Sequence, residues 1–255
     1  MEILGIIFSL MITFFFFVIL PATPIVLIIL AVKKSNSRKT TSVQRQNIKQ
    51  TIPTYQNTPT QPIYTSTDDI KGSFGEYCLY QDLKEMPGDK KILTNCYIPK
   101  SNGTTTEIDL IMIHETGVYV IESKNYSGWI FGSDDNQQWT QTFPNGNKFY
   151  FYNPIKQNLN HINNLKALIG NDIPYYSFVI FGDECQLKSI TNRTTTVVAT
   201  ISTFKRILEL TLTAAKTCFD HKKINEIYLK LSDYEYATKE EKTQHINNIK
   251  GELNG

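Results

Sequence analysis

The sequence predicts an α/β domain built on a mixed sheet and preceded by one N-terminal transmembrane helix. Three observations carry this expectation. Residues 3–32 form 30 consecutive positions without a charge, longer than the roughly 20 apolar residues a bilayer requires. From Lys71 onward, helix-like and strand-like patterns follow in the order helix, three strands, helix, strand, strand, the rhythm of an α/β domain. Residues 107–124 read as a hairpin whose strands are apolar on both faces, as central strands covered from both sides must be.

The apolar run defines a first segment, 1–32. Pro21 and Pro24 mark a kink or a fraying end in it. A cleaved signal peptide is the competing reading, but only Glu2 precedes the run and the run is too long for an h-region. Lys33, Lys34, Arg38, Lys39, Arg45 and Lys49 follow, with no acidic residue until Asp68. Such an excess places this flank on the cytoplasmic side. The expectation is a single-pass cell-membrane protein, N-terminus outside and C-terminal domain cytoplasmic. Inverted topology, with an extracellular domain, is the alternative.

Residues 33–69 are rich in Ser, Thr, Asn, Gln and Pro and poor in apolar side chains. Such a segment cannot bury enough surface to offset its ordering entropy, so it reads as a disordered basic linker. Its six cations suit anionic lipid. From Lys71 onward the chain has 20 basic and 21 acidic residues, a net charge of −1. The domain therefore lacks the basic composition of a high-affinity nucleic-acid binder and needs a local patch or a metal for such contacts. Cys78, Cys96, Cys185 and Cys218 form no CxxC pair and no zinc spacing with His, so reduced, partly buried thiols are expected.

The expected domain covers 70–200, with a helical extension over 201–255 packed on it. Residues 71–86 suit a helix with Phe74, Cys78, Leu79, Leu83 and Met86 as its apolar contacts, stopped by Pro87-Gly88. Residues 91–98 read as a strand, and the hairpin follows. Residues 128–152 hold eight aromatic residues between polar turns and suggest short additional strands. Asn153-Pro154 opens a helix to about Ile169, with Pro154 favourable in its first turn. Residues 175–181 and 195–200 read as strands. Ser202 is placed as the cap of a helix to Leu212, and 239–249 as a final helix.

The hairpin carries Asp109, Glu122 and Lys124 near its open end. Charges among apolar strands are costly unless paired, hydrogen-bonded or bound to metal. If the turn centres on Glu115-Thr116, Asp109 lies across from Glu122; a bulge at Gly117 would shift the register by one. Two adjacent carboxylates repel and raise one pKa unless a cation lies between them. Mg²⁺ suits oxygen ligands of this kind. A structural ion pair of Lys124 with Glu122 or Asp109 explains the same residues.

Further motifs fall in order along the chain: Gly75-Glu76, Glu107-Ile108-Asp109, the segment from Ile121 to Gly128, Trp139, and Asn153-Pro154-Ile155-Lys156-Gln157. Together these resemble the nuclease-related domain (NERD) over roughly residues 70–185. That family is regarded as a branch of the PD-(D/E)xK nuclease superfamily, whose restriction-endonuclease-like core runs αβββαβ. The resemblance implies that Asp109, Glu122 and Glu76 bind Mg²⁺ or Mn²⁺, that Lys124 positions or activates water, and that Gln157 contributes from the second helix. Ser123 stands where the family commonly has Thr.

Each flanking residue has a plainer reading. Glu76 suits a helix N-terminus, Gln157 a solvated helix face, and His161 a structural or surface role. Trp129 and Trp139 suit packing or base stacking. The leading expectation is a membrane-anchored, metal-dependent nuclease hydrolysing phosphodiester bonds in DNA or RNA, with DNA the favoured partner. A non-catalytic, membrane-tethered nucleic-acid-binding or scaffold module is the alternative.

Overall fold

The computed structural model describes residues 67–235, with side chains from Phe74 onward. The expected anchor over 1–32, the linker up to residue 66 and the final helix over 239–249 lie outside the described residues. Among the described residues no helix is long and apolar enough to cross a membrane.

Helix α1 (Thr67–Glu85) leads into β1 (Lys90–Pro99), β2 (Thr105–His114) and β3 (Gly117–Lys124). Then come β4 (Gly128–Ser133), β5 (Gln138–Thr142) and β6 (Lys148–Tyr152), followed by helix α2 (Pro154–Ile169). Strands β7 (Tyr175–Phe181), β8 (Cys185–Thr191) and β9 (Val197–Thr200) precede helices α3 (Ile201–Ala214) and α4 (His221–Ser232). The main sheet has the order β1-β2-β3-β7-β9. It is antiparallel from β1 to β3 and parallel from β3 to β9, so the expected mixed sheet is present. A second sheet has the order β6-β5-β4-β8.

Local chemistry explains the element boundaries. Helix α1 buries Leu79 and Leu83 and stops before Pro87-Gly88. Gly88 has φ +88°, and a Cβ there would lie 2.5 Å from His114 Nε2, so both backbone and space require glycine. At the start of α2, the Asn153 side chain accepts from the Ile155 amide at 3.0 Å. Its amide nitrogen donates to the Ser133 carbonyl at 2.9 Å and the Asn136 carbonyl at 2.7 Å. One buried side chain thus caps the helix and fastens it to the β4–β5 loop.

One expectation needs correction, and one strand was not anticipated. Helix α3 is capped at Thr200, not Ser202: the Asp183 carboxylate takes the Ser202 amide at 3.0 Å, and the first turn begins at Ile201. Strand β8 has no clear alternation in its sequence. It forms because parallel pairing with β4 supplies its partner.

Both faces of the central hairpin are covered. On one, Ile111, Ile113, Val118 and Val120 pack with Ile162 and Leu165 of α2 and with Ile224, Ile227 and Leu231 of α4. On the other, Phe204 of α3 meets Phe178 with ring centroids 5.8 Å apart, and Phe178 lies 6.2 Å from Tyr119. Each fully buried side chain of this size contributes roughly 1.5–3 kcal/mol. Helix α1 passes over the end of β3, since a Cβ on Gly75 would lie 3.7 Å from Ser123 Oγ. Lys205 of α3 pairs with Glu85 of α1. Trp139 joins the two sheets by stacking on Phe181 at 6.0 Å and 4°. All four cysteines are free; Cys96 and Cys185 are buried, Cys78 is half-buried and Cys218 is exposed.

Candidate active site at the fork of the central hairpin

The hairpin turns on the two residues Glu115 and Thr116, and its register pairs His114 with Gly117 and Leu110 with Ile121. This is the two-residue turn of the sequence reading. The next pair in that register is Asp109 with Glu122, but the ladder stops one step short of it. Strand β3 instead continues beside β7, pairing Glu122 with Val179 and Lys124 with Phe181. The two strands therefore fork. The Ser123 amide donates to Asp109 Oδ2 at 2.7 Å, so a carboxylate replaces the backbone acceptor β2 would have supplied. The fork explains why charged residues follow an apolar run: the hairpin opens where they begin.

Glu122 is buried, with 2% of its surface exposed. Its Oε1 accepts from Lys124 Nζ at 2.6 Å and its Oε2 from His161 Nε2 at 2.9 Å. Burial opposes its ionisation, but Lys124 and His161 outweigh burial and hold the carboxyl below its ordinary range. Desolvation also opposes the charge on Lys124, yet Glu122 and Asp109 overcome it and raise its pKa. The pair is ionised on both sides. Asp109 behaves oppositely: desolvation first, then the negative Glu122, push it well above the usual carboxylate range.

Glu76 projects from α1 and is partly exposed. Desolvation, Glu107 and Glu122 raise its pKa to about 7. It thus interacts electrostatically with Glu107 and Glu122. Glu107 accepts from the Tyr97 hydroxyl at 2.8 Å.

His161 is the residue the sequence undervalued. It is buried, and Thr106 Oγ1 lies 3.0 Å from its Nδ1 while its Nε2 bonds Glu122. Helix α2 is placed for this by Asn158, whose amide donates to the Val120 carbonyl at 2.9 Å and the Phe178 carbonyl at 3.0 Å. One signal was available in the sequence: His161 follows Gln157 by one helical turn. Gln157 itself is partly buried, and no hydrogen bond of its side chain joins it to the acidic residues. Trp139 is core, with its indole donating to the Ser133 carbonyl at 3.0 Å.

Among the described residues no group of three or more His, Cys, Asp and Glu is arranged to hold a metal ion. The donor chemistry nevertheless suits one. Desolvation first, then the negative charge of Glu122, raises the pKa of both Asp109 and Glu76, with Glu107 adding to the rise at Glu76. A hard divalent cation relieves such a conflict and prefers oxygen ligands.

An α/β domain with a mixed sheet, carrying two carboxylates and a lysine at the open end of its central hairpin, is consistent with a nuclease-like domain. Residues 71–182 match the family model described as the nuclease-related domain, NERD. Over 121 residues the chain is 40% identical to an uncharacterized protein of Bacillus anthracis, a match covering 47% of this chain and 57% of that protein. The chain thus spans little more than half the length of that relative. No solved structure matches it.

Proposed function

We propose that this chain is a membrane-anchored, divalent-metal-dependent nuclease that hydrolyses phosphodiester bonds, with Asp109, Glu122, Glu76 and Lys124 as its working residues. The observation that carries this reading is the fork, which gathers two carboxylates and a charged lysine at the end of a buried hairpin. Asp109, Glu122 and Glu76 would hold Mg²⁺ or Mn²⁺. When bound, the ion would acidify a water and neutralise phosphate charge. Lys124 is held protonated, so it donates: its ammonium orients the attacking water or receives charge on the phosphate. His161 fixes Oε2 of Glu122, and the Ser123 amide fixes Oδ2 of Asp109. Gln157 lies on the same helical face as His161 and would reach substrate rather than the ion.

The test is hydrolysis of single- and double-stranded DNA and RNA by the full-length chain with Mg²⁺ or Mn²⁺. Chelator-sensitive cleavage lost in Asp109→Ala, Glu122→Ala and Lys124→Ala is expected. Failure of folded wild-type protein to cleave any of these substrates with either metal sinks the proposal.

One observation favours a second reading, a non-catalytic tethered module. Both oxygens of Glu122 are already satisfied by Lys124 and His161. In that case Asp109→Ala preserves cellular function. The membrane assignment rests on the charge pattern around 1–32, and protease protection of the C-terminal domain in intact cells tests it.

A further inference from the structure

The second sheet turns one face inward and one outward. Inward, Ile130, Trp139 and Phe151 pack on Phe181 and Ile155. Alternation along the strands then sends Trp129, Phe131, Tyr150 and Tyr152 to the opposite face. The register aligns them: Phe131 pairs with Thr140, which pairs with Tyr150. Tyr150 is 65% exposed, Tyr152 47% and Phe131 36%. Lys148 shares the face through Thr142, the partner of Trp129. The Lys188 ammonium lies 5.5 Å from the Trp129 ring centroid. None of the four strands carries Asp or Glu, in a domain whose net charge is −1.

We propose that this outward face is a stacking platform for single-stranded nucleic acid. Aromatic rings on alternate strand positions offer flat surfaces to unpaired bases, while flanking lysines meet the phosphates. The interspersed Thr140 and Thr142 hydroxyls supply polar contacts without repelling a polyanion. A duplex keeps its base faces stacked on each other, so it cannot use such a surface. A bilayer interface also accepts Trp, Tyr and Lys, but the Thr140 and Thr142 hydroxyls interleave these rings, and capture of vesicles is one of the outcomes tested.

The platform is continuous with the fork. Only Asn125, Tyr126 and Ser127 separate Lys124 from the first residue of β4. Gly128 pairs with Cys185 just after β7 ends. Strands β3 and β7, neighbours in the main sheet, thus each lead directly into a strand of the second sheet. The platform deepens the nuclease reading by naming single strands as substrate, but binding is measurable without hydrolysis.

The test uses the full-length chain in mild detergent, carrying Asp109→Asn and kept in chelator. Fluorescence anisotropy follows labelled oligothymidine and oligouridine of about 12 nucleotides, within the reach of a small binding fold, and a duplex of equal length. Tyr150→Ala and Tyr152→Ala are each expected to weaken single-strand binding about fivefold or more. Tyr150→Phe and Tyr152→Phe retain it, because they keep the ring. Leu229→Ala, on an exposed position of α4, leaves it unchanged. Binding of either oligomer supports the platform, and the comparison identifies DNA or RNA. Equal affinity for duplex, indifference to both alanine variants, or Tyr150-dependent capture of anionic vesicles instead of oligomers overturns it. Cleavage by wild type with binding unaffected by the tyrosines refutes the platform alone. Ring-dependent binding without cleavage refutes the nuclease reading alone.

Discussion

Replacing Glu76 by Gln measures the electrostatic strain stored in the carboxylate cluster. Desolvation, Glu107 and Glu122 raise the Glu76 pKa from 4.5 to about 7. Its folded-state pKa is raised, so the folded protein binds more protons than the unfolded chain between those values, and stability falls as pH rises through that window. Below about pH 4.5 both states are protonated and no penalty exists; above about pH 7 it is complete. At about 1.36 kcal/mol per pH unit, a rise of this size caps the penalty near 3 kcal/mol. Glu76 is partly exposed, so solvent screening reduces the expected value to about 2 kcal/mol. Urea unfolding followed by tryptophan fluorescence provides the assay, because Trp139 is fully buried. Glu76→Gln is expected to be about 2 kcal/mol more stable than wild type at pH 8 and nearly equal at pH 4.5. Equal or lower stability at pH 8, or a gain that persists at pH 4.5, refutes the electrostatic argument. Millimolar Mn²⁺ is expected to stabilise wild type at pH 8 and to stabilise Glu76→Gln less.

Two further substitutions probe the supports of the site. His161→Leu removes a donor to the buried, ionised Glu122 and is expected to cost about 2 kcal/mol at pH 7. Glu122 has a lowered folded-state pKa, so the stability it contributes is present above the ordinary Glu range and lost on acidification. The cost of His161→Leu should therefore shrink as pH falls through that range, and a urea midpoint unmoved at pH 7 contradicts the assignment. Trp139→Ala removes the ring stacked on Phe181 between the two sheets and should cost about 3–5 kcal/mol. Calorimetry reads this directly, and a loss below about 1 kcal/mol rules out the inter-sheet role.

Much of the architecture was legible because it depends on short-range rules. Near-continuous apolar runs marked β2 and β3 as covered central strands, and Asn153-Pro154 marked the start of α2. The two-residue turn was one of two open readings, and the settled register bears it out. Strand β8 was invisible because its pairing with β4, rather than its own pattern, makes it a strand. The cap of α3 moved from Ser202 to Thr200 because Asp183, distant in sequence, takes the Ser202 amide.

Alternation along two strands joined by a short turn already makes Asp109, Glu122 and Lys124 near neighbours, whichever of the two registers the hairpin takes. The sequence did not distinguish an ion pair from a wider cluster. The tertiary fold adds the fork: β3 stays paired with β7 from Val118 to Lys124, while its ladder with β2 ends at Leu110 and Ile121. Tertiary structure also brought His161 to Glu122, because only the docking of α2 through Asn158 aims the imidazole at the carboxylate. Likewise the outward face of the second sheet emerges only once Trp139 turns inward onto Phe181. Neighbours along the chain follow from backbone geometry; neighbours across it follow from which faces the core buries.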